Sequence, residues 1–161
     1  MSYFPLFIEM EGQRVLMVGV GAVGLRRLLR LMEFGAAVTV VDRDPSPELR
    51  RLQEEQRIEL VAEDYRLCRE QLPGGYFLVL AATGSLAIDS LAVEDGKRQG
   101  AFVNLAGDKG SSDFYFPGIA RNGQVIAGIT AEGKNHALAA EAVRKIQHCL
   151  DNEEEDGKEW R

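Results

Sequence analysis

The chain reads as an α/β protein: a parallel sheet with helices on both faces, followed by a β-hairpin and a final helix. Short apolar runs alternate with amphipathic stretches as far as residue 110. Those runs are apolar throughout, as strands covered on both faces are. Beyond them the pattern changes to two extended segments around Asn122-Gly123, a strong hairpin signal, and then to one long helical stretch.

Taken in order, "RVLMVGV" (Arg14 to Val20) opens into glycines as a central parallel strand does. In "AVGLRRLLRLMEFG" the apolar residues Leu25, Leu28, Leu29 and Met32 fall on one helical face, and Gly35 is a helix stop. "AAVTVVD" (Ala36 to Asp42) is β-branched and predicts the second strand. "DPSPEL" begins a loop, "LRRLQEEQ" predicts a short surface helix, and Ile58 to Ala62 a third strand. Tyr76 to Gly84 predicts the next strand, Leu86 to Arg98 a helix, and Ala101 to Gly107 a fifth strand. "NHALAAEAVRKIQHCL" predicts the last helix, with Ala139, Ala142, Val143, Ile146 and Leu150 on its apolar face.

A length of 161 residues suits one well-packed core, and 45% hydrophobic with 27% charged residues is ordinary for a globular chain. By pattern the chain divides into an α/β domain over 1–110, a hairpin-and-helix segment over 111–150, and an acidic tail over 151–161 that is expected to be disordered. The net charge is -6, and the last eleven residues alone hold six acidic and two basic side chains. The body is therefore nearly neutral, which argues against nucleic acid as a partner. Two cysteines are too few for a disulfide scaffold and point to a reduced, cytoplasmic protein. The start "MSYFPLFIEMEGQ" lacks the basic and apolar regions of a signal peptide, and no run is long enough to cross a bilayer.

"GVGAVG" sets Gly19, Gly21 and Gly24 in the GxGxxG spacing between a predicted strand and a predicted helix. Gly19 can take the tight turn, Gly21 admits a pyrophosphate to the backbone, and Gly24 lets the helix pack close to the sheet. The free amides at the start of the helix, around Ala22 and Val23, would hold the phosphates. Asp42 ends the second strand, where a carboxylate accepts both ribose hydroxyls of NAD and repels the extra phosphate of NADP. Arg43 beside it could instead accommodate that phosphate; NAD is the favoured cofactor. The sheet is thus Rossmann-type.

Longer stretches carry a resemblance. "FPLFIEMEGQRVLMVGVGAVGLRR", "VTVVDRDPSPEL", "FLVLAATG" and "FVNLAGDKGSSDFYFPGIARNGQVIAGIT" resemble, in this order, the precorrin-2 dehydrogenase / sirohydrochlorin ferrochelatase family, which includes a module of sirohaem synthase. The resemblance covers roughly residues 3 to 148. It implies NAD-dependent oxidation of precorrin-2 to sirohydrochlorin, with ferrous iron as a further substrate in many members. It also implies a homodimer built through the segment after the fifth strand.

The departures from the family pattern fall near the chemistry. Where the family strand ends in its catalytic aspartate this chain has Gly107, leaving Asp108 as the stand-in. The family motif "ATDD", with an Asn further on, appears as Ala82-Thr83-Gly84-Ser85 with Asp89. "STGGKSP" appears as Thr130-Ala131-Glu132-Gly133-Lys134-Asn135-His136. The acidic run that follows Leu150 leads to the expectation that the family's C-terminal helical domain is missing.

The candidate site is therefore Asp108 as catalytic base, with Gly19, Gly21, Ala22, Val23, Gly24, Asp42, Arg43 and Thr83 toward the cofactor. Asn104, Phe114 and Lys134 face the substrate in this reading. Asp113 is read as a turn carboxylate and His136 as a partly exposed helix-start residue. His148 and Cys149 lack further ligands at metal spacing. The alternative function is a homologue that binds NAD or tetrapyrrole without turning it over.

Overall fold

A computed structural model describes residues 4–108, 110–131 and 135–153. β1 (Arg14–Val18) is flanked on both sides by parallel strands: β2 (Ala37–Val41) on one and β4 (Leu78–Ala81) on the other. β3 (Glu59–Val61) and β5 (Phe102–Leu105) close the two ends, giving the order β3-β2-β1-β4-β5. The order reverses between β1 and β4, and right-handed crossovers then send the connecting helices to opposite faces.

Side-chain alternation along the strands fills both faces. Leu16, Val18, Val79, Ala81, Val103 and Leu105 pack in one buried cluster with Ala92 and Val93 of α4 (Leu86–Arg98) and Tyr65 and Cys68 of α3 (Tyr65–Cys68). The intervening residues Val15, Met17, Val38, Val40 and Leu80 are equally buried. So are Leu28 and Leu31 of α1 (Ala22–Glu33), and Leu49 and Leu52 of α2 (Pro47–Glu54). This two-faced burial is the reason the strands are largely apolar, with Thr39 and Asn104 as buried polar exceptions.

Three local differences from the sequence reading stand out, and two have clear causes. α2 begins earlier than expected, because Ser46 caps it by accepting the Leu49 N–H at 3.3 Å and Pro47 suits the first helical turn. α3 and the 3-10 turn Arg69–Gln71 behind it were not expected; four residues carry no readable periodicity. What marks α3 is its cap, Asp64, which accepts the Arg66 N–H at 3.0 Å. β3 is shorter than its apolar run, spanning Glu59–Val61.

The outer edge of β5 is covered by side chains rather than by a strand. Val103 N–H donates to Asp113 Oδ2 at 2.9 Å, and Asp113 N–H donates back to Val103 O at 2.8 Å. Leu105 N–H donates to Ser112 Oγ at 2.9 Å. Asp113 is thus a structural carboxylate, but it serves the backbone of β5 rather than the turn or cap expected from the sequence.

By contacts the chain divides into two compact units, Ile8–Phe114 and a second formed by Met1–Phe7 with Tyr115–Arg161. In the second unit β6 (Gly118–Asn122) and β7 (Val125–Ile129) form the expected antiparallel hairpin, with Gly123 at φ +53 in its turn. α5 (His136–Glu153) lies against β6 so closely that a Cβ on Gly118 would come 2.5 Å from Val143 Cγ2. Gln147 brackets the backbone of Arg121, accepting its N–H and donating to its carbonyl, both at 3.0 Å. Asn135 caps α5 through the Leu138 N–H at 2.9 Å, and His136 is exposed. The helix runs past Leu150 to Glu153; the rest of the expected tail, 154–161, lies outside the described residues.

Candidate cofactor-binding site

The site forms where the sheet reverses, at the carboxyl ends of β1 and β4, the position at which open α/β sheets bind ligands. Gly19 leaves β1 at φ +76, and a Cβ there would sit 2.5 Å from Thr83 Cα and 2.7 Å from Thr83 N. The turn after β1 and the turn after β4 therefore touch backbone to backbone, which only glycine permits. Gly21 is different. Nothing lies within 4 Å of a Cβ built on it, so the space over the turn is open. A Cβ at Gly24 would meet Val20 Cγ1 at 3.4 Å, an ordinary contact. Close packing at Gly24 is thus a milder requirement than the spacing suggests.

Gly21 caps α1 without a side chain, and the first bond inside the helix is Leu25 N–H to Gly21 O at 2.8 Å. The amides of Ala22, Val23 and Gly24 precede that bond and are the ones a helix leaves for an anion. No acidic residue stands in the first turn of α1, and Ala22 and Val23 are exposed.

Asp42 fixes the turn from the neighbouring strand. Its Oδ2 accepts the Val20 N–H at 2.8 Å and its Oδ1 accepts the Asp44 N–H at 2.9 Å. Each carboxylate oxygen has further acceptor capacity, so the half-exposed group can still receive hydroxyl donors. Arg43 is exposed beside it. The loop after β3 brings Asp64, whose carboxyl is held at about 2, chiefly by hydrogen bonds from the Arg66 side chain and backbone, with a smaller contribution from Arg43.

After β4, Thr83 is exposed and Asp89 of α4 is buried beneath it. Asp89 Oδ1 accepts both the Thr83 N–H at 2.8 Å and the Thr83 hydroxyl at 2.7 Å. In sequence Asp89 stands out only as part of a departure from the family motif, with no role of its own; its place four residues into α4 is the available signal.

After β5, Gly107 takes φ +87 and Asp108 N–H closes on Leu105 O at 3.2 Å. Asp108 Oδ1 accepts the Gly110 N–H at 2.8 Å, and Oδ2 accepts the Ser111 hydroxyl at 2.8 Å. The Ser111 hydroxyl, then the Gly110 amide, hold the Asp108 carboxyl below the usual carboxylate range, with Lys97 adding a smaller pull. The group is exposed and its own loop occupies both oxygens.

Asn104 is not where a substrate-facing side chain would be. It is buried, with Oδ1 accepting from Arg27 Nη1 at 3.0 Å and Nδ2 donating to Phe114 O at 2.8 Å. Its face of β5 looks toward α1, and it ties the glycine-turn helix to the chain leaving β5. Burial, and Arg26 nearby, lower the pKa of Arg27. Phe114 is half-buried, and Lys134 lies outside the described residues.

Residues 6–118 match the family model described as "Putative NAD(P)-binding". The chain belongs to this NAD(P)-binding family. The glycine turn, the open space over Gly21 and the fixed Asp42 are the features that fit such a ligand. "Siroheme synthase 1" of Cronobacter sakazakii is 31% identical over 150 residues, covering 93% of this chain and 31% of that protein. "Siroheme synthase 2" of Aeromonas salmonicida is 34% identical over 153 residues, covering 93% and 30%. The chain thus spans about a third of the length of these curated relatives. A solved structure titled "SirC, precorrin-2 dehydrogenase" shares the fold, with a TM-score of 0.75 at 21% identity over 91% of this chain and 71% of that one. No helix among the described residues is long and apolar enough to cross a membrane.

Proposed function

We propose that this chain oxidises precorrin-2 to sirohydrochlorin with NAD as the cofactor, within siroheme formation, as a cytoplasmic homodimer joined through the hairpin unit. The observation that carries the reading is the open glycine turn at the strand-order reversal, with Asp42 fixed beside it. The similarity to siroheme synthases over 93% of the chain supports the substrate class. When bound, NAD supplies a hydride acceptor at its nicotinamide ring.

The chain's own residues have distinct tasks. The amides of Ala22, Val23 and Gly24 hold the pyrophosphate, while Gly19 and Gly21 let it approach. Asp42 accepts the adenosine ribose hydroxyls and sets NAD over NADP, with Arg43 flanking. Asp108 accepts the proton released on oxidation; its carboxyl is held below the usual carboxylate range by the Ser111 and Gly110 donors, so giving up the Ser111 bond makes it a stronger acceptor. To act it exchanges the Ser111 hydroxyl for the substrate. Phe114 and Lys134 are assigned to the tetrapyrrole and its carboxylates, and ferrous iron is a further substrate.

One observation favours a second reading, a homologue that binds the dinucleotide without turnover: the Asp108 oxygens are engaged by their own loop. Incubation with precorrin-2 and NAD, followed by sirohydrochlorin absorbance, separates the two. The first reading expects product, and Asp108→Asn then slows oxidation about a hundredfold with NAD affinity unchanged. Saturable NAD binding with no product at high protein concentration establishes the second. Sedimentation velocity tests the homodimer.

A further inference from the structure

Asn104 is a polar exception on the sheet face that meets α1. It is 5% exposed and lies between Val103 and Leu105, whose side chains fill the opposite face. Its register partner Leu80 shows what packing alone asks for on this face. A buried amide costs stability unless both its ends are bonded. Here they are: Oδ1 accepts from Arg27 Nη1 at 3.0 Å and Nδ2 donates to Phe114 O at 2.8 Å. The two partners belong to different parts of the site.

Arg27 stands in the second turn of α1, about 7.5 Å along the axis from Ala22, where the amides left for a dinucleotide begin. Its neighbour Leu28 is fully buried, so this turn cannot shift without disturbing the core. Phe114 closes the segment that reverses after β5 and runs back along it. Ser112 and Asp113 fasten that segment to the β5 backbone, which relates it to its own strand alone. Asn104 gives it a second reference, the helix that starts at the glycine turn. The bond is made to a carbonyl, so it places the main chain itself. The same segment holds the Asp108 carboxylate through the Gly110 amide and the Ser111 hydroxyl.

We propose that Asn104, held by Arg27, is a positioning residue through which a dinucleotide bound at the start of α1 orders residues 110–114. A ligand that bridges the amides of Ala22, Val23 and Gly24 stiffens the first turns of the helix, and the tie passes that restraint to the chain beyond β5. The inference rests on the dinucleotide-binding reading and deepens it: an occupied cofactor site settles the loop that holds the proton acceptor.

Amide hydrogen exchange at Gly110, Ser111 and Asp113, with and without saturating NAD, tests it without any turnover. In the wild-type protein NAD is expected to slow exchange there about tenfold. Arg27→Met and Asn104→Leu each remove the tie and should cut that effect to about twofold or less, while calorimetry finds NAD affinity within about threefold of wild type. Arg27→Lys keeps a donor for Asn104 Oδ1 and should restore the slowing. Slowing that survives unchanged in Arg27→Met and Asn104→Leu, whatever their Tm, leaves Asn104 a packing residue and overturns the inference. So does saturable NAD binding to the wild type with no change at these amides, or loss of NAD binding in both variants. Should Asn104→Leu not fold, Arg27→Met carries the test alone, since its side chain is only half-buried. A wild-type protein that binds no NAD overturns the dinucleotide reading, and the inference with it.

Discussion

β1 and β5 leave the sheet in the same way, through a glycine at positive φ with an aspartate beside it, yet the two turns are built for opposite ends. At Gly19 the aspartate comes from another strand: Asp42 takes the one amide of Val20 and leaves the amides of the helix start facing outward. At Gly107 the aspartate is the next residue, and Asp108 takes the amide of Gly110 and the hydroxyl of Ser111 from its own loop. A carboxylate borrowed from a neighbouring strand holds a turn open. One supplied from within closes it. The number of carboxylates near a strand end therefore says less about chemistry than where their lone pairs are spent.

The sharpest way to break this comparison is at the glycines themselves. Gly19→Ala puts a Cβ against the Thr83 backbone in a left-handed conformation. A loss of about 3 kcal/mol is expected, visible as a lower Tm, together with loss of NAD binding by calorimetry. Next in size, Asp42→Ala strands the Val20 amide and removes the ribose acceptor. NAD should bind about tenfold more weakly and the preference over NADP should shrink, which paired titrations will read. Gly107→Ala shares the positive φ of Gly19, but nothing lies within 4 Å of its Cβ. Only the conformational cost of about 1 kcal/mol should appear, with NAD affinity unchanged.

The smallest expected effect concerns pH. Asp108 is held below the usual carboxylate range chiefly by Ser111, so Ser111→Ala should raise its pKa toward that range. If Asp108 accepts the proton, the acid limb of the pH–rate profile for oxidation then moves to higher pH. An acid limb that stays put in the variant separates Asp108 from the reaction. The sign follows from the charge: Ser111 donates to the ionised form, and losing that donor favours the protonated one.

Much of the fold is readable from local pattern. The largely apolar strands, the GxGxxG spacing, Asn122-Gly123 and the apolar face of α5 each express one physical constraint within a few residues. The pieces that escaped depend on apposition instead. α3 is a single turn whose evidence is the Asp64 cap, and in sequence Asn104 reads as polar and available, whereas in the fold Arg27 and Phe114 O stand at either end of its amide. Asp89 belongs to the same class, since only the folded chain puts it under Thr83. Spacing finds the turn that meets the pyrophosphate because that turn is contiguous; it does not find partners that meet across the sheet.

The side-chain cover on β5 has a consequence for how the sheet meets other chains. An unprotected outermost strand is a template on which a neighbouring molecule can add a strand of its own. Ser112 and Asp113 occupy the outward N–H groups of Leu105 and Val103, so that side of the sheet offers no such template. Amide exchange at these two positions should accordingly be as slow as in the interior strands. Substituting the serine and aspartate together should create an aggregation-prone edge without touching the core.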